Sequence, residues 1–146
     1  MTKRSAVVSG EPPAQPIAVE LIAVLAAIAD GRPLTMTTDD GRALPSGSFE
    51  IGHRSLQSGL RACVERQTRH PLGYVEQLYT FADSDRRNSA ADAHAISISY
   101  LGLVREEGAM APEAAWRPWY DYFPWEDHRP GPPSLIKRTI APELRR

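Results

Sequence analysis

Apolar residues are almost continuous from Ile17 to Ala29, IAVELIAVLAAIA, broken only by Glu20, and such a run has the period of neither a helix nor a half-buried strand. Its alanines favour helix. The neighbouring residues decide for a strand: Asp30, Gly31, Arg32 and Pro33 form a turn, and Leu34 to Thr38 then reads as a short, Thr-bearing strand, so a hairpin is the simpler joint reading. A second turn falls at Asp39, Asp40 and Gly41. Residues 43–47 come next as a tight loop in which Gly47 is free to take a positive φ.

From Arg54 to about Thr68 the period changes. Leu56, Leu60, Cys63 and Val64 recur at helical spacing, while Arg54, Gln57, Arg61, Glu65 and Arg66 lie off that stripe. Gly73 to Phe81 alternates as a strand, with Val75, Tyr79 and Phe81 on one side. Ala82 to Ala93 is polar and reads as a solvated loop; Ala95 to Val104 reads as a long strand with Ile96, Ile98 and Tyr100 opposed to Ser97 and Ser99. About half of the aromatic residues then gather between Trp116 and Trp125. A last helix, capped by Ser134, uses Leu135, Ile136, Ile140 and Leu144 and is kinked or ended by Pro142.

The 146 residues fit one domain, preceded by a flexible leader over residues 1–16. Seventeen basic and eighteen acidic residues nearly cancel, which argues against chain-wide attraction to nucleic acid or an anionic membrane. The apolar run is too short to cross a bilayer, the N-terminus lacks the apolar core of a signal peptide, and the single cysteine, Cys63, has no disulfide partner. A cytoplasmic protein is expected.

The stretch from Gly47 to His70, GSFEIGHRSLQSGLRACVERQTRH, carries the chemistry. It resembles the Nudix box, in which a glycine is followed after five residues by glutamate and, after seven more, by arginine, glutamate, an aliphatic residue, any residue and two glutamates. Gly47, Arg61 and Glu65 match. His53 stands at the first glutamate, Ala62 at the one after the arginine, Arg66 at the last, and Thr68 at the closing glycine. Magnesium needs near-octahedral oxygen ligation, and one carboxylate in four positions is a poor cage, opposed further by the Arg66 cation. Glu50 is the candidate for a displaced ligand beside Glu65. The segments LGYVEQLYTFAD and HAISISYLGLV extend the resemblance over roughly residues 17–104. Together with the eroded box they are similar to Nudix-related transcriptional regulators of NAD metabolism.

That resemblance implies an α/β Nudix fold, a mixed sheet sandwiched between helices. It also implies an ADP-ribose-like metabolite as ligand, a homodimer, and DNA contact only through a winged-helix domain absent from this chain. No cofactor is expected. The alternative is an active pyrophosphohydrolase requiring Mg²⁺ or Mn²⁺, which would rebuild its site from Glu50, Glu65 and Asp83 or Asp85. Arg86 and Arg87 are candidates to clamp a diphosphate, with Glu50 and His53 as further ligand contacts. Each has a plainer reading: Arg86 and Arg87 as solvated charges, His53 as a residue shaping the start of the helix, Arg61 and Glu65 as an i,i+4 ion pair. The aromatic cluster either stacks a nucleobase or, more commonly, packs a core or interface.

Overall fold

The computed structural model describes residues 17–82, 87–88, 93–108 and 110–145, with 87, 88 and 93 described by backbone alone. The apolar run forms strand β1 (Ile17–Ala29) and turns back into β2 (Arg32–Thr37). Asp30 and Gly31, at φ 48° and 72°, make the turn between them. Positive φ at both central residues matches the right-handed twist of the flanking strands, which is why an Asp-Gly pair ends this run so sharply. Among the described residues, β1 and β2 join β3 (Ser46–Ser48), β4 (Val75–Phe81), β5 (Arg87–Asn88), β6 (Ala93–Leu103) and β7 (Ala115–Pro118) in one sheet. Its order is β4-β6-β1-β2-β7, with β3 added to β1 and β5 to β6.

The 13-residue length of β1 lets it serve two partners along one edge. Its first half pairs with β3 through Glu20–Ser48 to Ile22–Ser46, and its last four residues pair with β2. The other edge pairs in parallel with β6, from Ile17–His94 to Ala26–Leu103. A parallel neighbour requires a crossover, and the helix α1 (Leu56–Thr68) supplies it.

Leu21, Ala23 and Leu25 of β1 share one face with Met36, Val75, Ile98 and Tyr100, and all pack with Leu60 and Val64 of α1. Burying each such aliphatic side chain stabilises the fold by about 1.5–3 kcal/mol. Helix α1 starts at Ser55, whose hydroxyl accepts from the Ser58 N–H at 3.1 Å while Ser58 Oγ accepts from the Ser55 N–H at 2.8 Å. It ends at Arg69, in the left-handed region at φ 58°.

Three sequence expectations need correction. Gly47 lies in β3 and is not among the positive-φ glycines. The alternation expected for β4 breaks at a bulge between Gln77 and Tyr79, and apart from Val75 and Phe81 the strand is exposed along the sheet's edge. The polar loop contains a short strand, β5, paired to the start of β6. In β6 both faces are buried, so Ser97 and Ser99 are as enclosed as Ile98 and Tyr100.

The second face of the sheet is covered by a shorter layer, α2 (Trp119–Tyr122) followed by a 3₁₀ turn, Pro124–Glu126. Near the C-terminus the helix predicted from Ser134 widens into a π turn, Ile136–Ile140, before α3 (Ala141–Glu143). Pro142 lacks an N–H and would crowd the carbonyl four residues back, and the looser turn just ahead of it accommodates both. No helix among the described residues is long and apolar enough to cross a membrane.

Candidate functional site

The box-like segment runs from β3 through a loop into α1, and its surviving residues act on one another. Gly47 lies against the helix: a Cβ there would overlap Cys63 Sγ. Gln67 fixes the same contact one residue earlier. Its Nε2 donates to the Ser46 carbonyl at 2.6 Å and its Oε1 accepts from the Ser46 N–H at 3.2 Å. Cys63 is buried, and that burial raises its thiol pKa against the opposing pull of Arg66.

His53 is committed within the loop. Its Nδ1 accepts from the Glu50 N–H at 3.0 Å, its own N–H donates to the Glu50 carbonyl at 2.9 Å, and its ring lies 5.6 Å from that of Phe49. The imidazole also rests over Gly59, where a Cβ would stand 2.8 Å from Nδ1. The histidine thus closes a turn.

Arg61 points away from Glu65. Its Nη2 donates to the Gly73 carbonyl at 2.6 Å and its Nε to that of Leu72 at 3.3 Å, tying α1 to the segment that leads into β4. Glu50, Glu65 and Arg66 are exposed. Among the described residues no three His, Cys, Asp or Glu side chains converge. These residues do not fit a magnesium ion, which requires several oxygens on one point. Arg86, Asp83 and Asp85 lie outside the described residues, and Arg87 opens β5, described there by backbone alone.

A cavity of about 350 Å³ opens on the other side of the sheet, and none of Gly47, Glu50, His53, Arg61 or Glu65 lines it. Val24, Thr35 and Thr37 form its floor, and Trp119, Tyr122 and Phe123 form one wall. The opposite wall begins at Gly41. Asp39, Asp40 and Gly41 are left-handed in succession, at φ 49°, 52° and 84°. Non-glycine residues occupy that region only when their surroundings hold them there. Here the Tyr122 hydroxyl donates to the Gly41 carbonyl at 2.7 Å, and Arg117 Nη2 donates to Asp40 Oδ1 at 2.9 Å. Gly41 is required at this approach, since a Cβ would stand 3.0 Å from the Tyr122 oxygen.

The aromatic cluster divides between two places. Trp116 packs against the core beside His70, ring to ring at 6.1 Å, whereas Trp119 and Phe123, 4.7 Å apart, face the cavity. The Trp119 indole N–H donates to Glu126 at 2.7 Å, which sets the ring's angle. Sequence reasoning missed Thr35, Thr37 and the Asp39–Gly41 turn as parts of a cavity. The signal available was a strand ending in Asp-Asp-Gly, which by itself says only turn.

No protein-family model matches the chain, and no curated protein does. Solved structures do. The Nudix domain of Shewanella oneidensis NrtR complexed with ADP-ribose aligns with a TM-score of 0.62 at 16% identity, covering 94% of each chain. A MutT/nudix family protein from Enterococcus faecalis aligns at 0.60 with 18% identity, over 75% of this chain and 47% of its own. Shewanella oneidensis NrtR aligns at 0.60 with 19% identity, over 72% and 53% respectively. The present chain thus spans about half the length of the latter two. At such identities the likeness is one of architecture, and that architecture is the Nudix fold.

Proposed function

We propose that this chain is a ligand-sensing Nudix domain that binds ADP-ribose or a related NAD metabolite with little or no hydrolysis. In this reading it is the effector part of a regulator of NAD metabolism, acting as a homodimer, with DNA contacted by a separate domain. The observation that carries it is the fate of the box: Arg61 holds backbone carbonyls, His53 closes a loop, and Glu50 and Glu65 stand exposed without converging. Hydrolysis of a diphosphate by this fold would use metal ions to polarise phosphate oxygens and activate water. The described residues provide no cage for them, so the hydrolase alternative must draw its acids from elsewhere, Asp83 and Asp85 being the nearest in sequence. Support for the ligand class comes from the NrtR Nudix domain, solved with ADP-ribose, and support for the regulatory role from NrtR complexed with a 27mer DNA.

Calorimetric titration of the chain with ADP-ribose, once in EDTA and once in millimolar Mg²⁺, tests the reading. Saturable binding with the same Kd in both is expected. Binding seen only with Mg²⁺, or none in either, would reject it.

A further inference from the structure

We propose that the cavity on the second face of the sheet seats an uncharged, planar, hydrogen-bonding ring, and that Thr35 selects such a ring over a purely apolar one. The proposal rests on the sensor reading for its biological setting but on the cavity alone for its chemistry.

The size and walls set the class of ligand. A volume of about 350 Å³ lies at the small end of ligand pockets, suited to a ring and not to a whole dinucleotide. Trp119 and Phe123, their ring centroids 4.7 Å apart, line one side, and Val24, Thr35 and Thr37 of β1 and β2 line the other. Aromatic side chains favour offset or edge contacts with another π system, so a slot between an aromatic pair and a sheet prefers a planar guest. The charged side chains nearby are already engaged: Arg42, at the rim, pairs with Asp39 at 3.1 Å, and Arg117 pairs with Asp40 at 2.9 Å. An ionised ring would therefore enter without a counter-charge, at a desolvation cost that a neutral ring avoids.

Thr35 adds the second criterion. It is 4% exposed and lines the cavity, and its hydroxyl is one of two buried side-chain polar atoms without a hydrogen-bond partner among the described residues. The other is Nε of Arg117, the cross-strand partner of Thr35 in the β2–β7 ladder. Thr37, two residues on, has its hydroxyl committed to the Ala115 carbonyl at 3.1 Å. An unpaired buried hydroxyl is costly, and such exceptions call for a specific reason. Because the hydroxyl is shut off from solvent, Thr35 now shows the cavity its apolar part; rotation about Cα–Cβ exchanges methyl for hydroxyl. A guest carrying a ring nitrogen or an amide would then give Thr35 the partner it lacks, whereas an apolar ring would not.

The closing experiment uses the full chain and four probes: adenosine, nicotinamide, ribose 5-phosphate and toluene, read by tryptophan fluorescence with Trp119→Phe as the assignment control. Adenosine or nicotinamide should quench saturably, the responding ring naming the source, and ribose 5-phosphate should be silent. Thr35→Val should leave the melting temperature of the free protein unchanged or raised, weaken the responding ring about three- to tenfold, and leave toluene, which has no donor or acceptor, unaffected. Silence from both hydrogen-bonding rings overturns the proposal, as does a Thr35→Val variant that melts lower while binding its ring unchanged. ADP-ribose in parallel separates the two readings. Binding of ADP-ribose with both rings silent keeps the sensor and rejects the cavity, and a ring that binds where ADP-ribose fails does the reverse.

Discussion

Replacing Gly47 by alanine tests whether the surviving glycine of the box is retained for packing. Gly47 sits in extended backbone, where alanine is conformationally acceptable, so the substitution would by itself stabilise the protein by about 0.4–1 kcal/mol through the unfolded chain. Against this, the new Cβ overlaps Cys63 Sγ, and Cys63 is only 4% exposed with little room to retreat. Overpacking of this kind costs about 1–3 kcal/mol. The net is a cost of about 0–2.6 kcal/mol, and at roughly 2–4 °C per kcal/mol for a chain of this size Gly47→Ala should lower the melting temperature by up to roughly 10 °C. Cys63→Ala removes the obstructing sulfur at a cost of about 1 kcal/mol for the small void. In that background Gly47→Ala should become neutral or stabilising. Thermal or urea unfolding of the four proteins completes the cycle. Equal destabilisation by Gly47→Ala in both backgrounds would refute the packing explanation.

Arg61→Lys should destabilise the chain by about 1–3 kcal/mol in urea unfolding, because a single ammonium cannot reproduce the two-pronged hold on the Leu72 and Gly73 carbonyls; stability unchanged in the lysine variant would deny Arg61 that role. Asp127 is held below the usual carboxylate range, chiefly by hydrogen bonds from the Arg129 side chain. A lowered folded-state value means that the contact's contribution is present above the ordinary pKa and is lost as the pH falls through the lowered one. A carbon-13 titration of the Asp127 carboxyl should therefore show a midpoint below that of an unpaired aspartate, returning to the ordinary value in Arg129→Ala. The burial that raises the Cys63 pKa also predicts that the native thiol reacts with a disulfide reagent at pH 8 only as fast as the protein opens; immediate stoichiometric reaction would contradict this.

Where local chemistry determined structure, the sequence was readable. The Asp30-Gly31 turn forces the hairpin, and the stripe of Leu56, Leu60, Cys63 and Val64 forces α1. What the sequence hid was set by neighbours distant in the chain. The bulge that breaks β4 depends on the register imposed by β6, and the serines buried on β6 find their partners on neighbouring strands, Ser97 donating to Glu20 of β1 and Ser99 to the Tyr79 carbonyl of β4. The box glycine suggested a left-handed loop, yet its reason is the sulfur of Cys63, sixteen positions on. The eroded box was legible as a loss of carboxylates; the new uses of His53 and Arg61 were not, since both act on backbone groups that a side-chain motif does not mention. The cavity required strands β1 and β2, the Asp39–Gly41 turn and α2 to be brought together, and only the aromatic cluster hinted at it.

The central claim is binding without turnover. The most direct measurement is prolonged incubation of the chain with ADP-ribose and Mg²⁺ or Mn²⁺, with AMP release followed by chromatography and the melting temperature recorded in parallel. A raised melting temperature with no AMP above the metal-only control is the predicted result; metal-dependent AMP release that disappears in Glu65→Gln would contradict it.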